Sequence, residues 1–85
     1  MDELSFEDWL MHNTSYSTKV ARDVRCRAKR ASKYINLSKN TSDDELIFTL
    51  TQHPEFLDLS PTVKSQLKKS VKLYREFLLT TKKTK

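Results

Sequence analysis

Residues 17–36 read STKVARDVRCRAKRASKYIN, and their apolar positions give the strongest structural signal in the chain. The apolar side chains recur at intervals of four, four, three and four residues, at Val20, Val24, Ala28, Ala31 and Ile35. This spacing places them on one face of an α-helix. Ser17 carries the short hydroxyl side chain that is favoured at a helix N-cap. The stretch therefore predicts a helix over about residues 18–36, with small alanines that allow another helix to approach closely.

Three further helices are predicted, at about residues 6–12, 43–52 and 61–80. Each follows a helix-start signal. These signals are Ser5, the capping box formed by Ser42 and Glu45, and Ser60 followed by Pro61. Pro54 is expected to end the third helix, because the residue before a proline disfavours the helical backbone. Residues 81–85 are expected to fray into a basic tail.

Each predicted helix has an apolar face. The expected buried residues are Phe6, Trp9 and Leu10 in the first helix, Leu46, Ile47, Phe48 and Leu50 in the third, and Val63, Leu67, Val71, Tyr74, Phe77 and Leu78 in the fourth. Phe56 and Leu57 are expected to fill the core from a turn. Four helices with short connections predict a compact all-α four-helix bundle, with residues 1–85 forming one domain.

The composition excludes several classes of protein. The chain contains no glycine, so it has no Gly-rich phosphate-binding loop and lacks the residue most favoured in tight β-hairpins. Its single cysteine cannot form an internal disulfide, and no apolar run is long enough to cross a bilayer. The acidic N-terminus does not resemble a secretory signal. These features predict an intracellular protein without a membrane span, cytoplasmic or, if it binds DNA, nucleoid-associated.

Charge is arranged in blocks along the chain. Residues 1–15, 16–40, 41–60 and 61–85 carry net charges of −4, +7, −5 and +7, within a net charge of +5. The bases fall outside the apolar faces of the second and fourth predicted helices. A basic surface of this kind is typical of proteins that contact nucleic-acid phosphates. The predicted DNA-binding residues are Lys19, Arg22, Arg25, Lys29, Arg30, Lys33, Lys68, Lys69 and Lys72.

No catalytic, metal or cofactor site is predicted. The acids cluster at helix starts, where capping accounts for them, and no motif activates a nucleophile. His12 and His53 each lack a second ligand at a metal-binding spacing. Cys26 lies within the basic stretch, where it acts either as a small residue that faces a partner or as a redox-sensitive thiol. The protein is therefore predicted not to be an enzyme.

The order of motifs resembles the N-terminal core-binding domain of the tyrosine recombinases, or phage integrases. The resemblance covers roughly residues 4–80. It is carried by residues 5–10 (SFEDWL), 16–24 (YSTKVARDV), 25–31 (RCRAKRA), 63–71 (VKSQLKKSV) and 74–77 (YREF). It implies a SAM-like four-helix bundle that grips one side of a DNA duplex. The catalytic domain of that family, with its tyrosine nucleophile, has no counterpart in this sequence.

The sequence leaves three hypotheses open. The first is a small, non-enzymatic DNA-binding module that acts on double-stranded DNA through the second and fourth helices. The second is a protein-interaction module, an inhibitor or adaptor of phage or mobile-element origin that docks on a recombinase or host regulator through the acidic first helix or the Phe56–Leu59 turn. The third is a redox-sensitive regulator acting through Cys26. The first hypothesis requires the two basic helices to be neighbours in the fold.

Overall fold

Five α-helices and no strands make up the part of the chain that the structure describes. A computed structural model describes residues 3–83, with side chains described up to residue 80. The helices are α1 (Glu3–Asn13), α2 (Thr18–Ala31), α3 (Asp43–Thr51), α4 (Pro54–Leu57) and α5 (Pro61–Lys83). The all-α prediction is confirmed. The additional element, α4, is a single turn in the segment that was predicted to connect the third and fourth helices.

Helix α1 begins earlier than its sequence signal suggests. It starts at Glu3, so Ser5 lies inside the helix and is not its N-cap. Phe6 and Leu10 are fully buried, as predicted, while Trp9 is half-buried against the core. Beyond Asn13, the Thr14 backbone amide and hydroxyl both donate to the Leu10 carbonyl. Both bonds go to the Leu10 carbonyl, one of the groups that the end of the helix would otherwise leave unpaired.

Helix α2 is shorter than predicted, and its buried face is rotated. Ser17 is the N-cap, and its hydroxyl accepts a hydrogen bond from the Val20 amide, as predicted. Ala21 replaces Val20 in the buried stripe, because Ala21 is fully buried and Val20 is 39% exposed. The α-helix ends at Ala31 rather than near residue 36. Beyond Ala31, the backbone amides of Lys33 and Tyr34 bond to the carbonyls three residues earlier, as in a 3₁₀-helix. Ile35 packs into the core from the connector between α2 and α3.

Helices α3 and α4 are separated by a two-residue break. Ser42 caps α3 by accepting from the Glu45 amide, as predicted. Helix α3 ends at Thr51, one residue before the predicted bound, and His53 has an extended backbone, as expected of the residue before a proline. Pro54 is also the first residue of α4, a favoured place for proline. Phe56 is buried as predicted. Phe48 and Leu57 are not, because they are 65% and 58% exposed.

Helix α5 supplies the longest side of the core. Val63 donates its amide to the Ser60 hydroxyl, which confirms the predicted start. The predicted stripe is buried from Leu67 to Phe77, with Val63 and Leu78 partly buried at its ends. The helix extends to Lys83, so residues 81–83 of the predicted basic tail are helical, and residues 84–85 lie outside the described range.

An aromatic cluster joins the two ends of the chain. The Phe6 ring lies 5.0 Å from the Tyr74 ring and 5.5 Å from the Phe77 ring, and Trp9 lies 6.0 Å from Phe77, all measured between centroids. Such tilted and edge-on pairs stabilise a core beyond the burial of their surface. Helix α2 packs against both α1 and α5, while α3 packs against α5 and α4. The two basic helices of the sequence, α2 and α5, are therefore direct neighbours.

Candidate nucleic-acid interface

The outer face of α2 is basic and exposed. Its buried stripe of Ala21, Val24, Ala28 and Ala31 faces α1 and α5, so the residues between these positions point to solvent. The exposed cations on this side of the chain are Lys19, Arg22, Lys29, Arg30 and, just beyond the helix end, Lys33. Cys26 lies among them and is exposed, as predicted, and Asp23 is the only acid within the helix.

Four of these cations make no ion pair with another residue of the described range. The ion pairs within the described part of the chain include none of Lys19, Arg22, Arg30 and Lys33. Positive side chains that lack an internal counterion retain mobile counterions from solution. A polyanion can displace those counterions, and that displacement provides the electrostatic part of nucleic-acid binding.

Arg25 occupies a different position from the other predicted contacts. It lies four residues after Ala21, at the edge of the buried stripe, and its side chain is only 21% exposed. Its Nε is 3.4 Å from a Glu7 carboxylate oxygen, and its Nη1 is 3.9 Å from Glu3. Lys29 Nζ is 3.3 Å from the second Glu3 oxygen. The acidic block of α1 therefore neutralises the flank of α2 that faces it, including two of the predicted DNA-binding residues, Arg25 and Lys29.

The three lysines predicted on α5 form one group. Lys69 and Lys72 are exposed and Lys68 is half-buried. The i,i+3 and i,i+4 spacings place Lys72 between the other two on the helix surface. Lys69 Nζ also lies 5.9 Å from the centre of the Tyr16 ring, a cation–π distance that holds the lysine on the α2 side of α5.

A groove of about 230 Å³ runs between α2 and α5. Val20 and Val24 form an apolar floor, Arg27 lies on the α2 side, and Gln66 and Lys69 lie on the α5 side. We call this surface the α2–α5 groove; Tyr16 and Ser70 complete its lining. It brings one base from each helix together, Arg27 and Lys69, and Lys69 is the one predicted DNA contact among its lining residues. Arg27 was not among the predicted contacts, although its position three residues after Val24 places it on the flank opposite Arg25.

Arg75, expected on the outer face of the fourth helix, is a structural residue. Its Nε donates to the Asp43 carboxylate at 2.9 Å, and its Nη1 donates to the carbonyls of Leu37 (2.9 Å) and Lys39 (2.6 Å). Its Nη2 donates to the Thr41 carbonyl. The planar guanidinium thus fixes the α2–α3 connector and the start of α3 against α5.

The histidines have local roles. His12 Nδ1 lies 2.8 Å from the Asp8 carbonyl oxygen near the end of α1. His53 occupies the N-cap position of α4 without a side-chain capping bond, and its ring lies 4.5 Å from that of Tyr34. Over residues 3–83 no three His, Cys, Asp or Glu side chains come together as a metal site would require. None of the helices in that range has the length and apolar character needed to cross a membrane.

Comparison with protein-family models, with curated proteins and with solved structures yields no match for this chain. The site is therefore interpreted from its own residues.

Proposed function

We propose that this protein is a small, non-enzymatic DNA-binding module that holds the backbone of a duplex against the outer face of α2. The observation that carries the proposal is the set of exposed cations on that face, Lys19, Arg22, Arg30 and Lys33, which make no ion pair with any residue in the described range. Lys68, Lys69 and Lys72 on the neighbouring α5 extend the basic surface beyond the α2–α5 groove.

The proposed contact is dominated by phosphates rather than bases. Arg25 is engaged by the carboxylates of α1, which leaves Arg22 and Arg30 as the arginines available for a bidentate contact with guanine. Phosphate contacts position a protein on DNA without reading its sequence. We therefore expect similar affinity for unrelated duplexes. With four to six phosphate contacts, the logarithm of the binding constant should fall with the logarithm of salt with a slope of roughly −3.6 to −5.4.

The four longer helices support a closer assignment. Helices α1, α2, α3 and α5 occur in the order expected of a SAM-like core-binding domain of a tyrosine recombinase, with α4 as an added turn. We propose that the chain is a stand-alone relative of that domain, which binds DNA without strand cleavage. An experimentally determined structure in which these four helices cross in a different arrangement would remove this assignment while leaving the DNA-binding proposal intact.

Fluorescence anisotropy with two labelled duplexes of unrelated sequence, over a series of salt concentrations, tests the proposal. Arg22→Ala and Arg30→Ala should each weaken binding and reduce the salt slope by about one. Lys39→Ala is the matched control, because it removes an exposed cation from the α2–α3 connector instead of α2. The proposal fails if neither duplex binds at low salt, or if Lys39→Ala weakens binding as much as the two α2 variants do.

A second candidate function, protein recognition, has its own supporting observation. Two large apolar side chains, Phe48 and Leu57, are 65% and 58% exposed on the α3–α4 side of the molecule. Leu57 belongs to the Phe56–Leu59 turn that the sequence suggested for this role, although Phe56 itself is buried. The acidic first helix offers less, since Glu3 and Glu7 are paired with α2. Phe48→Ser and Leu57→Ser should then abolish capture of a recombinase or host regulator by nuclease-treated protein while leaving DNA binding unchanged.

A further inference from the structure

Phe48 lies on the outermost line of α3. Leu46 and Leu50, two residues to either side, face the core and are buried, so the helix turns Phe48 directly away from it. The helix spacing places Asp44 and Glu45, one turn earlier, beside the ring, and Thr49 follows it; all four residues are exposed. We call Asp44, Glu45, Phe48 and Thr49 the α3 knob. The knob combines one aromatic ring with two carboxylates. The Phe48 ring is not part of the buried core of the fold.

The α2–α5 groove has the complementary chemistry. Val20 and Val24 give it an apolar floor, and Arg27 and Lys69 are cations on its opposite sides. Val20 is 39% exposed although it is flanked by well-buried positions of α2. The volume of the groove, about 230 Å³, exceeds that of the roughly 150 Å³ cavity known to take up a benzene molecule. An aromatic ring with acidic neighbours therefore matches the groove in size, polarity and charge.

The knob and the groove lie on different sides of one molecule. Helix α3 is fixed to α5 through Asp43 and Arg75, whereas Lys69 of α5 faces α2. Lys69 and Arg75 are six positions apart in the helix, which places them about 120° apart around its axis. A chain that carries a knob on one side and a matching groove on another forms head-to-tail contacts with its own copies.

We propose that this protein self-associates head to tail, with the α3 knob of one copy seated in the α2–α5 groove of the next. The Phe48 ring covers Val20 and Val24 of the neighbouring copy, and the knob carboxylates face its Arg27 and Lys69. The contact is small, so the association is weak and depends on protein concentration and salt. It leaves Lys19, Arg22 and Arg30 exposed. The contact shares Lys69 with the proposed DNA-binding surface. It is tested on nucleic-acid-free protein, so its failure is distinguishable from a failure of the DNA-binding proposal.

Sedimentation equilibrium on nucleic-acid-free protein tests the contact, from micromolar to millimolar concentration at low and at high salt. The wild-type protein should associate with concentration, more weakly at high salt. Phe48→Ser should weaken the association at least tenfold, because it removes the aromatic anchor. Leu79→Ser is the matched control, since Leu79 is also highly exposed, at 61%, but lies in α5 outside both surfaces. Circular dichroism should show equal helix content in the three proteins.

A charge exchange tests the pairing directly. Asp44→Arg and Arg27→Asp should each reduce self-association, and the two variants when mixed, or the double variant alone, should regain it. A wild-type protein that stays monomeric at millimolar concentration and low salt overturns the proposal. So does an equal loss of association in Leu79→Ser, or a double variant that stays monomeric. Loss of binding to a foreign protein in Phe48→Ser, with self-association unchanged, also rejects the second copy as the occupant.

Discussion

The acidic first helix should limit DNA binding, and neutralising two of its carboxylates should strengthen that binding. Glu3 and Glu7 hold Arg25 and Lys29 at distances of 3.3 to 3.9 Å. A phosphate that approaches this flank of α2 must compete with those carboxylates. The double variant Glu3→Gln, Glu7→Gln preserves the size of both side chains and removes both charges, so it releases two cations for phosphate contact.

The size of the effect follows from the number of cations released. Each additional phosphate contact steepens the salt dependence by about 0.9, so two contacts steepen it by about 1.8. When the salt concentration is lowered from 1 M to about 0.1 M, counterion release should therefore strengthen binding by roughly eightfold for each additional contact. The loss of the Lys29–Glu3 pair should cost stability on the order of 1 kcal/mol or less, because Lys29 is largely exposed and Glu3 partly so. The loss of the Arg25–Glu7 pair should cost more, because these side chains are only 21% and 19% exposed and Arg25 is left without its carboxylate partner.

Anisotropy titrations across a salt series measure both quantities, the affinity and the slope. The matched control is the double variant Glu55→Gln, Asp58→Asn, which changes the net charge by the same amount on α4 and its C-cap. Both double variants raise the general positive potential equally, so a difference between them reports the local release of Arg25 and Lys29. Urea unfolding followed by circular dichroism checks that all the proteins are folded under the binding conditions.

Two results would refute this reasoning. If the Glu3–Glu7 variant shows the wild-type slope, the α1 flank of α2 does not contact phosphate. If the Glu55–Asp58 control steepens the slope by the same amount, the effect is one of net charge, and the pairing of α1 with α2 has no special part in it.

Three further predictions concern stability, each measured by urea unfolding of the purified variant. Arg75→Ala should lower the free energy of unfolding by about 2–4 kcal/mol, because three carbonyls and one carboxylate lose their donor. Arg75→Lys should recover only part of this loss. A loss below about 0.5 kcal/mol in Arg75→Ala would contradict the anchoring role of Arg75. Phe56→Ala should cost about 3–5 kcal/mol and Phe48→Ala far less, since the first ring is buried and the second exposed; equal losses would mean that Phe48 is packed in solution. Ser42→Ala should cost about 1 kcal/mol through loss of its bond from the Glu45 amide, and Ser42→Asp, which keeps an acceptor, should not.

Several features of the fold were predictable from local chemistry. The caps at Ser17, Ser42 and Ser60 each depend on a side chain and an amide three residues later, so a short stretch of sequence contains the whole interaction. The buried stripe of α5 was predictable for a related reason, because a long helix with one apolar face can be buried in only one orientation. The all-α class also followed from the helix periodicity and the absence of glycine.

Other features depend on partners that are distant in the sequence. Val20 and Ala21 fit the stripe of α2 equally well, and the observed packing buries the smaller residue while Val20 lines the groove beside α5. The early end of α2 reflects local competition, since the Ser32 hydroxyl and the Asn36 side chain both bond to nearby backbone groups. Phe48 was predicted to be buried because it is aromatic, but a helix as short as α3 buries a single stripe, which Leu46 and Leu50 occupy.

The candidate site was predictable only in outline. The basic character of the two helices and their exposed residues could be inferred from charge and periodicity. The contacts of Arg25 with α1 and of Arg75 with the connector could not be inferred in this way. Many residues of intervening chain separate Arg25 from Glu3 and Glu7, and Arg75 from its partners. In both cases an arginine at the edge of an apolar stripe reaches a partner on the adjacent element. Their position at the edge of an apolar stripe, rather than their exposure, distinguishes Arg25 and Arg75 from Arg22 and Arg30.

The exposed thiol of Cys26 gives the outer face of α2 a native labelling site. Because it is the only sulfhydryl in the chain, one alkylating reagent modifies one known position in unmutated protein. Added duplex should slow that alkylation in proportion to occupancy if DNA covers this face, and an environment-sensitive dye attached there would follow the docking event in real time.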